Sequence, residues 1–338
     1  MGRERIEYLD LAKGICICIV MLFHTKGLLQ CEFFIDPVLF SSYMLPPFFF
    51  LSGVFFKEED SFGTFLKKKT NRLLIPFAFF YIVSAVIMPN FLHYIMGVEI
   101  KSVIGWKSLW AFVWPGVYPN FPLWFIWCLF LMHLLFWAIN HLCNRIFRRH
   151  SRAMVACACI CCALLATCYE QLFSVDVACI YNTLKYILFF CAGFLVSGII
   201  KGHCLDTFSN LKKTGLLLIT LAVTLVRLIP CVTVSVLLET LSFYICGLAG
   251  SVFVIIVSSM IMYLPVVSYL GRYSIIIVLT HGLLIRAGTG FIAYLSSVIG
   301  TYNAVLLFWV LMALSYLIFI PIIRWCMPHV TAQKQLLK

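Results

Sequence analysis

The sequence predicts an all-α, polytopic membrane helix bundle. Hydrophobic residues make up 63% of the 338-residue chain, and charged residues only 11%. Most segments between clusters of lysine and arginine are apolar runs long enough to span a bilayer. The net charge of +12 comes from basic residues in short loops between these runs. That distribution is typical of the positive-inside rule and not of a nucleic-acid-binding surface, so we expect the lipid bilayer and no nucleic acid as a partner.

The apolar runs divide the chain into about ten transmembrane helices. Counted with the amino terminus inside, 19 lysines and arginines fall on the cytoplasmic side and six on the outer side. This asymmetry predicts cytoplasmic N- and C-termini and an even number of spans; eight or twelve would require merged or split spans. The approximate limits of the ten are 9–29, 41–56, 73–92, 122–142, 153–170, 181–200, 214–231, 239–263, 272–294 and 302–325.

The connections between spans are too short for a soluble domain. We therefore predict one integral-membrane domain over residues 1–338, with several passes through a cell membrane. The longest connection, 93–121, contains Trp106, Trp110 and Trp114. It is expected either to lie at the interface as an amphipathic segment that meets an outside substrate, or to form an ordinary aromatic belt.

The first span carries a line of polar side chains. Asp10, Lys13 and His24 interrupt an apolar run that begins at Leu9. At about 100° per residue they fall within an arc of roughly 60°, and Lys13 and His24 are about 16 Å apart along the axis. Ionisable groups at that depth are costly unless they face protein or water, so the line indicates a functional site. The alternative is a signal anchor with one packed histidine.

Other polar residues also lie within predicted spans. His133 and His281 lie deep in the fourth and ninth spans. The depth of His281, about 14 Å, allows it to meet His24 near the midplane, whereas His133 is more typical of a packed helix histidine. Arg227 and Arg286 lie near the outer ends of their spans, where they either snorkel to the interface or bind an anionic or sugar acceptor.

The basic loop after the second span has two interpretations. Lys67, Lys68, Lys69 and Arg72 either signal topology and attract anionic lipid, or clamp a cytoplasmic anion such as a nucleotide phosphate. The sequence contains no Walker motif and no dinucleotide-binding fingerprint, so the loop does not indicate an NTPase.

The cysteines do not indicate a metal site. Most of the 16 lie inside apolar runs, and Cys159 and Cys162 form a lone CxxC without a second pair or a nearby histidine. We interpret them as small apolar residues in lipid and predict no bound metal.

Several stretches of the chain match the motifs of a known family: 8–14 with His24, 47–53, 65–76, 122–125 and 274–281. They resemble acyltransferase family 3, and more narrowly its fucose 4-O-acetylase-like branch, which implies a bacterial cytoplasmic membrane. In the family's general motif an arginine is followed by ten residues and a histidine; here Lys13 replaces that arginine before His24. The later pair of basic residues likewise has Lys69 in place of arginine, followed by Arg72.

The resemblance implies acyl transfer across the membrane. Family members take an acyl group, usually acetyl from acetyl-CoA, at the cytoplasmic side and place it on a hydroxyl of an envelope sugar on the other side. It implies His24, Lys13 and Asp10 as catalytic residues. It implies Lys69, Arg72 and Lys13 as binding residues for acyl-CoA, and Trp124, His281 and Ser52 as substrate-binding residues. The expected partners are acyl-CoA, an envelope or secreted polysaccharide, and other polysaccharide-assembly proteins.

The properties of these residues are compatible with that chemistry. Lysine and arginine suit a CoA phosphate, and a neutral imidazole serves either as general base or as transient acyl carrier. Asp10, one turn from Lys13, is expected to form an ion pair with it.

Two other classes of function compete with the enzyme. A transporter or flippase for a lipid-linked saccharide also places charges and histidines in the membrane. A purely structural membrane subunit accounts for the hydrophobicity but not for the aligned polar line. Movement of substrate without consumption of acetyl-CoA distinguishes the transporter from the transferase.

Overall fold

A computed structural model describes residues 6–28, 37–59, 61–87, 111–113, 118, 120–173, 175–229 and 235–337, and every regular element within these residues is helical. The all-α prediction is therefore confirmed. The α-helices are α1 (Glu7–Leu28), α2 (Pro37–Val54), α3 (Phe62–Lys69), α4 (Ile75–Ile82), α5 (Leu123–Phe147), α6 (Ser151–Leu172), α7 (Ile180–Leu195), α8 (Ser197–Lys201), α9 (Asn210–Leu225), α10 (Val236–Ile261), α11 (Pro265–Arg272), α12 (Ser274–Ala287), α13 (Thr289–Ile299) and α14 (Thr301–Cys326).

Seven of the described helical segments are long and apolar enough to cross a membrane, or eight if α11 and α12 form one broken span. This confirms a polytopic membrane helix bundle, whereas the count of ten and the orientation of the termini are not confirmed. The seven segments are Glu7–Gly27, Phe62–Ile87, Leu123–Phe147, Ser151–Leu172, Val177–Leu195, Leu237–Ile261 and Thr301–Cys326.

Four predicted spans differ in the structure. The third is part of a longer helical segment, Phe62–Ile87, so most of the predicted basic loop after the second span is helical. The second and seventh correspond to α2 and α9, which are not among the described segments that are long and apolar enough to cross a membrane. The ninth is interrupted by a sharp bend at Tyr273 and ends at Ala287, and a separate helix begins at Thr289. Gly300, with φ of +82°, forms the turn before α14, a backbone conformation that glycine adopts without strain. The Trp-rich connection 93–121 lies largely outside the described residues.

The chain divides into two compact units. The first comprises Met1–Lys57, Phe147–Ile160 and Tyr186–Ser274, and the second comprises Glu58–Ile146, Cys161–Lys185 and Ile275–Lys338. In the first unit, α1 contacts α2, α10 and α11, and α10 also contacts α2 and α9. The helix that carries the polar line is therefore central to its unit.

Two glycines allow α1 and α11 to approach until their backbones touch. A Cβ on Gly271 would lie 1.8 Å from the carbonyl oxygen of Asp10, and a Cβ on Gly14 would lie 2.0 Å from the carbonyl oxygen of Val267. Both distances are far inside van der Waals contact. Small residues at such crossings are typical of helices in lipid, where close packing replaces the hydrophobic effect.

A second glycine pair joins α2 to α7 within the same unit. A Cβ on Gly53 would lie 1.9 Å from the carbonyl oxygen of Phe190, and a Cβ on Gly193 would lie 1.9 Å from that of Phe50. The reciprocity means that each helix presents its glycine to the other's backbone. This contact accounts for the glycine that ends the Pro47–Gly53 element.

The second unit is organised by aromatic rings between its first helices and α5. The Ser61 side chain accepts from the Thr64 N–H and so caps the start of α3. Phe62 and Phe65 lie 4.8 Å and 5.9 Å from the ring of Trp137, measured between ring centroids. These contacts fix the basic segment that follows Phe65.

Substitution of Gly271 by alanine is expected to destabilise the protein. The added methyl group would meet backbone atoms of α1, and overpacking of this kind costs about 1–3 kcal/mol. The apparent melting temperature of purified protein in detergent should fall by several degrees. Gly215→Ala is the matched control, because no atom lies within 4 Å of the Cβ it would add. Equal melting temperatures for the two variants would contradict the backbone contact.

Candidate functional site

Asp10 and Lys13 form an ion pair at the start of α1. The Lys13 Nζ lies 2.8 Å from Asp10 Oδ1, and the two side chains are 25% and 11% exposed, respectively. The pairing predicted from their spacing is therefore confirmed. The Lys13 ammonium also lies 5.7 Å from the centroid of the Phe55 ring, near the end of α2. A carboxylate and an aromatic face together compensate a cation that is largely withdrawn from water.

A small pocket adjoins this pair within the first unit. Its volume is about 50 Å³, enough for a few water molecules but not for an acyl-CoA. Asp10 therefore borders a polar recess on one side and bonds Lys13 on the other. The lining residues are Glu7, Asp10, Tyr263, Ser268, Tyr269 and Arg272.

His24 lies near the other end of α1. Its side chain is intermediate in exposure, while its neighbour Thr25 is fully buried and donates to the carbonyl oxygen of Met21 at 2.8 Å. The Phe23 ring meets the imidazole edge-on at 5.9 Å. The helix is continuous from Asp10 to His24, so the predicted line of polar residues stands on one rigid element.

Ser52 lies in α2, within the first unit. Its hydroxyl donates to the carbonyl oxygen of Phe48 at 2.8 Å, a common arrangement for serine in a membrane helix. The hydroxyl proton is thus used within the helix, and the oxygen lone pairs remain for accepting. A substrate-binding role for Ser52 stays a prediction.

Lys69 and Arg72 lie at a π-helical turn in the second unit. This turn, Thr70–Leu74, follows α3 directly, so Lys69 precedes it and Arg72 lies within it. π-turns of this kind recur at functional sites. Lys69 is partly buried, with its ammonium 5.4 Å from the centroid of the Phe65 ring, whereas Arg72 is exposed.

The neighbouring basic residues differ from this pair. Lys68 is held by Glu59, with 2.6 Å between Nζ and Oε2. Lys67 is exposed. Glu58 accepts from Asn140 Nδ2 at 2.8 Å, which ties the loop to α5. Within this basic segment Lys68 is therefore held by a carboxylate, Lys69 lies against an aromatic ring, and Lys67 and Arg72 are exposed.

His281 lies fully buried in α12, in the second unit. Its Nδ1 is 2.7 Å from the carbonyl oxygen of Ile277, which assigns the proton to Nδ1 and leaves Nε2 as the accepting nitrogen. His133 in α5 makes the same contact with Leu129. The prediction that His24 and His281 meet stays a prediction.

Asn120 is a residue that the sequence analysis missed. It is 2% exposed, and its Nδ2 donates to the carbonyl oxygen of Leu279 at 2.9 Å. A Cβ on Gly282 would lie 2.2 Å from its Oδ1. Asn120 therefore contacts α12 at Leu279 and at Gly282, on either side of His281 in the sequence. The available signal was an asparagine two residues before Pro122, at the start of a family-like element.

Trp124 stands in the first turn of α5, and its indole meets Phe125 edge-on at 6.2 Å. The neighbouring Trp127 is more extensively engaged. Its Nε1 donates to Ala178 O at 3.0 Å, and its ring stacks on Phe77 at 5.3 Å. Trp127 was also missed, because one tryptophan among many carries no distinguishing pattern.

Asp176 serves as a helix cap. Its carboxylate accepts from the Tyr181 N–H at 2.8 Å and from Asn182 Nδ2 at 2.6 Å. Burial raises the pKa of the Asp176 carboxyl, while these hydrogen bonds oppose the rise. These hydrogen bonds give the Asp176 carboxylate a structural role at the start of α7.

Arg227 is buried in the first unit, at 9% exposure. Its Nη1 donates to Ser41 Oγ at 2.7 Å, and the guanidinium lies 5.8 Å from the centroid of the Phe243 ring. These contacts do not match a side chain that snorkels to the interface.

Within the described part of the chain, no group of three or more histidine, cysteine, aspartate or glutamate side chains is arranged to hold a metal ion. The expectation of a metal-free site stays a prediction.

The family model for the acyltransferase domain of acyltransferase family 3 matches residues 6–324. The chain belongs to acyltransferase family 3. No curated protein and no solved structure matches it. The match covers nearly every described helix, and it supports a multi-pass membrane acyltransferase. It does not distinguish the fucose O-acetylase-like branch.

In this acyltransferase the ion pair of α1 can be tested by a double-mutant cycle. Asp10→Ala leaves the Lys13 ammonium partly buried without its carboxylate, so we expect lower expression and a lower apparent melting temperature. Because the two residues act as a pair, the Asp10→Ala/Lys13→Ala variant should be more stable than the sum of the single effects predicts.

Glu170→Ala removes an exposed carboxylate and serves as the control for this cycle. Strict additivity of the two single effects, measured as melting temperatures in detergent, would show that the ion pair does not contribute to stability.

Proposed function

We propose that this chain is a membrane O-acyltransferase that moves an acyl group, most simply acetyl, from cytoplasmic acyl-CoA to a hydroxyl of an extracytoplasmic cell-envelope or secreted polysaccharide. The observation that carries the proposal is the line of Asp10, Lys13 and His24 on one helix of an acyltransferase family 3 chain. An ion pair and an imidazole on a single rigid element suit acyl transfer to a hydroxyl.

The donor is proposed to be recognised through its phosphates. Lys69 and Arg72 offer charge-assisted hydrogen bonds to phosphate oxygens, and arginine does so in a planar, bidentate manner. Lys13, held in place by Asp10 at 2.8 Å, offers a third cation. Because Lys68 is neutralised by Glu59, it is not part of the proposed phosphate contact.

His24 is proposed to act on the acceptor hydroxyl. The neutral imidazole removes the hydroxyl proton as the oxygen attacks the thioester carbonyl carbon; the C–O bond forms, the C–S bond breaks, and the CoA sulfur leaves and takes up the proton. In the covalent variant the imidazole nitrogen first attacks the thioester carbonyl carbon, so that a C–N bond forms, the C–S bond breaks and the CoA thiolate leaves. The acceptor hydroxyl then attacks the acyl-histidine; the C–O bond forms, the C–N bond breaks, and the hydroxyl proton is taken up by the thiolate. Both routes consume one acyl-CoA per ester formed.

The acceptor is proposed to contact Trp124, His281 and Ser52. An indole offers an apolar face to a sugar ring, and the Nε2 of His281 and the Ser52 oxygen offer hydrogen-bond acceptors. Other polysaccharide-assembly proteins in the bacterial cytoplasmic membrane are the proposed source of the acceptor chain.

His24→Ala should abolish transfer while leaving the protein folded in the membrane. Loss of a general base typically lowers the rate by at least about a hundredfold. The measurement is release of CoA from acetyl-CoA by purified protein in lipid, with mixed envelope glycans as acceptor and labelled acetyl to identify the product. His329→Ala, which removes an exposed histidine, should behave as wild type.

Product formation by His24→Ala near the wild-type rate would refute the catalytic role. Absence of turnover by the wild type with any acceptor, together with movement of a lipid-linked saccharide across the bilayer, would support a transporter instead.

Lys69→Ala and Arg72→Ala should each weaken binding of acetyl-CoA. Loss of one hydrogen bond to a charged group costs about 1.5–3 kcal/mol, which corresponds to an increase in Kd of about tenfold or more. Lys67→Ala removes an exposed cation on the same segment that is not part of the proposed phosphate contact, and it is the matched control. If Lys69→Ala and Arg72→Ala had the same Kd for acetyl-CoA as the Lys67→Ala control, the proposed contact with the CoA phosphates would be refuted.

A further inference from the structure

Asn71 fastens a distant segment of the chain to the π turn Thr70–Leu74. Its side chain is only 4% exposed, and its amide makes four hydrogen bonds. Nδ2 donates to the carbonyl oxygens of Lys67 and Leu337, both at 3.0 Å. Oδ1 accepts from the N–H groups of Leu336 and Leu337, both at 2.8 Å. Both donors and both acceptor positions of the amide are therefore used.

The segment that reaches Asn71 is itself ordered. Thr331 is fully buried, and its hydroxyl donates to the carbonyl oxygen of Met327 at 2.8 Å. The N–H groups of Gln333 and Lys334 donate to the carbonyl oxygen of Pro328 at 3.0 Å and 2.9 Å. These turns lead the chain from the end of α14 to the asparagine.

A π turn needs support of this kind. The Ile75 N–H donates to the Thr70 carbonyl five residues back, a spacing that is rare and usually confined to a single turn. Pro76 follows and has no N–H with which to restore α-helical bonding to Arg72. At the junction of α3 with the π turn, the Asn71 side-chain amide donates a hydrogen bond to the Lys67 carbonyl oxygen.

The two cations assigned to the donor lie on either side of Asn71 in the sequence. Lys69 precedes the turn and Arg72 lies within it, one residue after Asn71. The contact is made by the backbone of the distant segment, whereas the Leu336 and Leu337 side chains are 55% and 43% exposed. The backbone of Leu336 and Leu337 therefore bonds directly to a buried side chain between the two cations.

We propose that Asn71 is a positioning residue for acyl-CoA binding. By fastening the backbone of Leu336 and Leu337 to the π turn, it holds Lys69 and Arg72 at the spacing that the donor's phosphates require. This inference rests on the proposed function of those two cations. Asn71 itself has no atom left to contact the donor.

The test compares Asn71→Ala with Leu337→Pro in the purified full-length chain. Proline removes the backbone N–H that Asn71 accepts, whereas Leu337→Ala keeps it and serves as the matched control. Asn303→Ala removes an exposed asparagine and controls for the substitution itself. The readouts are the Kd for acetyl-CoA, and KM and kcat for acetyl transfer.

Asn71→Ala and Leu337→Pro should each raise Kd and KM for acetyl-CoA about tenfold, the loss expected when one charge-assisted contact is misplaced, with kcat at saturating acetyl-CoA unchanged. Because Leu337→Pro removes one of the hydrogen bonds that Asn71→Ala also removes, the double variant should be no worse than Asn71→Ala alone. Both controls should match the wild type.

Wild-type Kd values in Asn71→Ala and Leu337→Pro would overturn the inference while leaving the proposed function intact. A fall in kcat without a change in KM would likewise overturn the positioning role. If the wild type neither binds nor consumes acetyl-CoA, the proposed function fails, and the inference fails with it.

Discussion

The first unit depends on the close approach of α1 and α11. Helices in lipid gain little by hiding apolar surface from one another, so association rests on van der Waals packing and hydrogen bonds. Gly14 and Gly271 bring the two backbones into contact beside Asp10 and Lys13. The Lys13–Gly14 dipeptide therefore combines a cation that pairs with Asp10 and a missing side chain that allows the backbones to meet. A larger residue at position 14 would displace the helix that carries the cation.

Charge compensation distinguishes the basic residues from one another. Lys13 is paired with Asp10, Lys68 is paired with Glu59, and Lys69 lies over the Phe65 ring. Arg72 remains exposed. A cation already held by a carboxylate at 2.6 Å would have to give up that contact to bind phosphate. Within the basic segment 67–72, the ion pair with Glu59 thus sets Lys68 apart from Lys69 and Arg72, which do not have to give up a carboxylate at this distance to bind a ligand.

Much of the fold and part of the site could be predicted from the sequence, because both rest on local patterns. Apolar length gave the membrane helices, and a three-residue spacing gave the Asp10–Lys13 pair. Hydropathy alone did not show the break at Tyr273, since the residues on both sides remain apolar. Asn71 and Asn120 could not be found either, because their partners, Leu337 and Leu279, lie far along the chain. Only tertiary structure brings such backbone groups to a side chain.

The burial of the histidines bears on which of them can act as the base. His281 and His133 each place Nδ1 2.7 Å from a backbone carbonyl one turn earlier, which fixes the tautomer and leaves Nε2 able to accept a proton. Both rings, however, are buried, at 0% and 5% exposure, so a substrate hydroxyl reaches them only after neighbouring side chains move. His24 retains partial exposure. A general base must come within hydrogen-bond reach of the proton it removes, so this difference in exposure supports the proposal that His24 is the base and that His281 is a fixed acceptor.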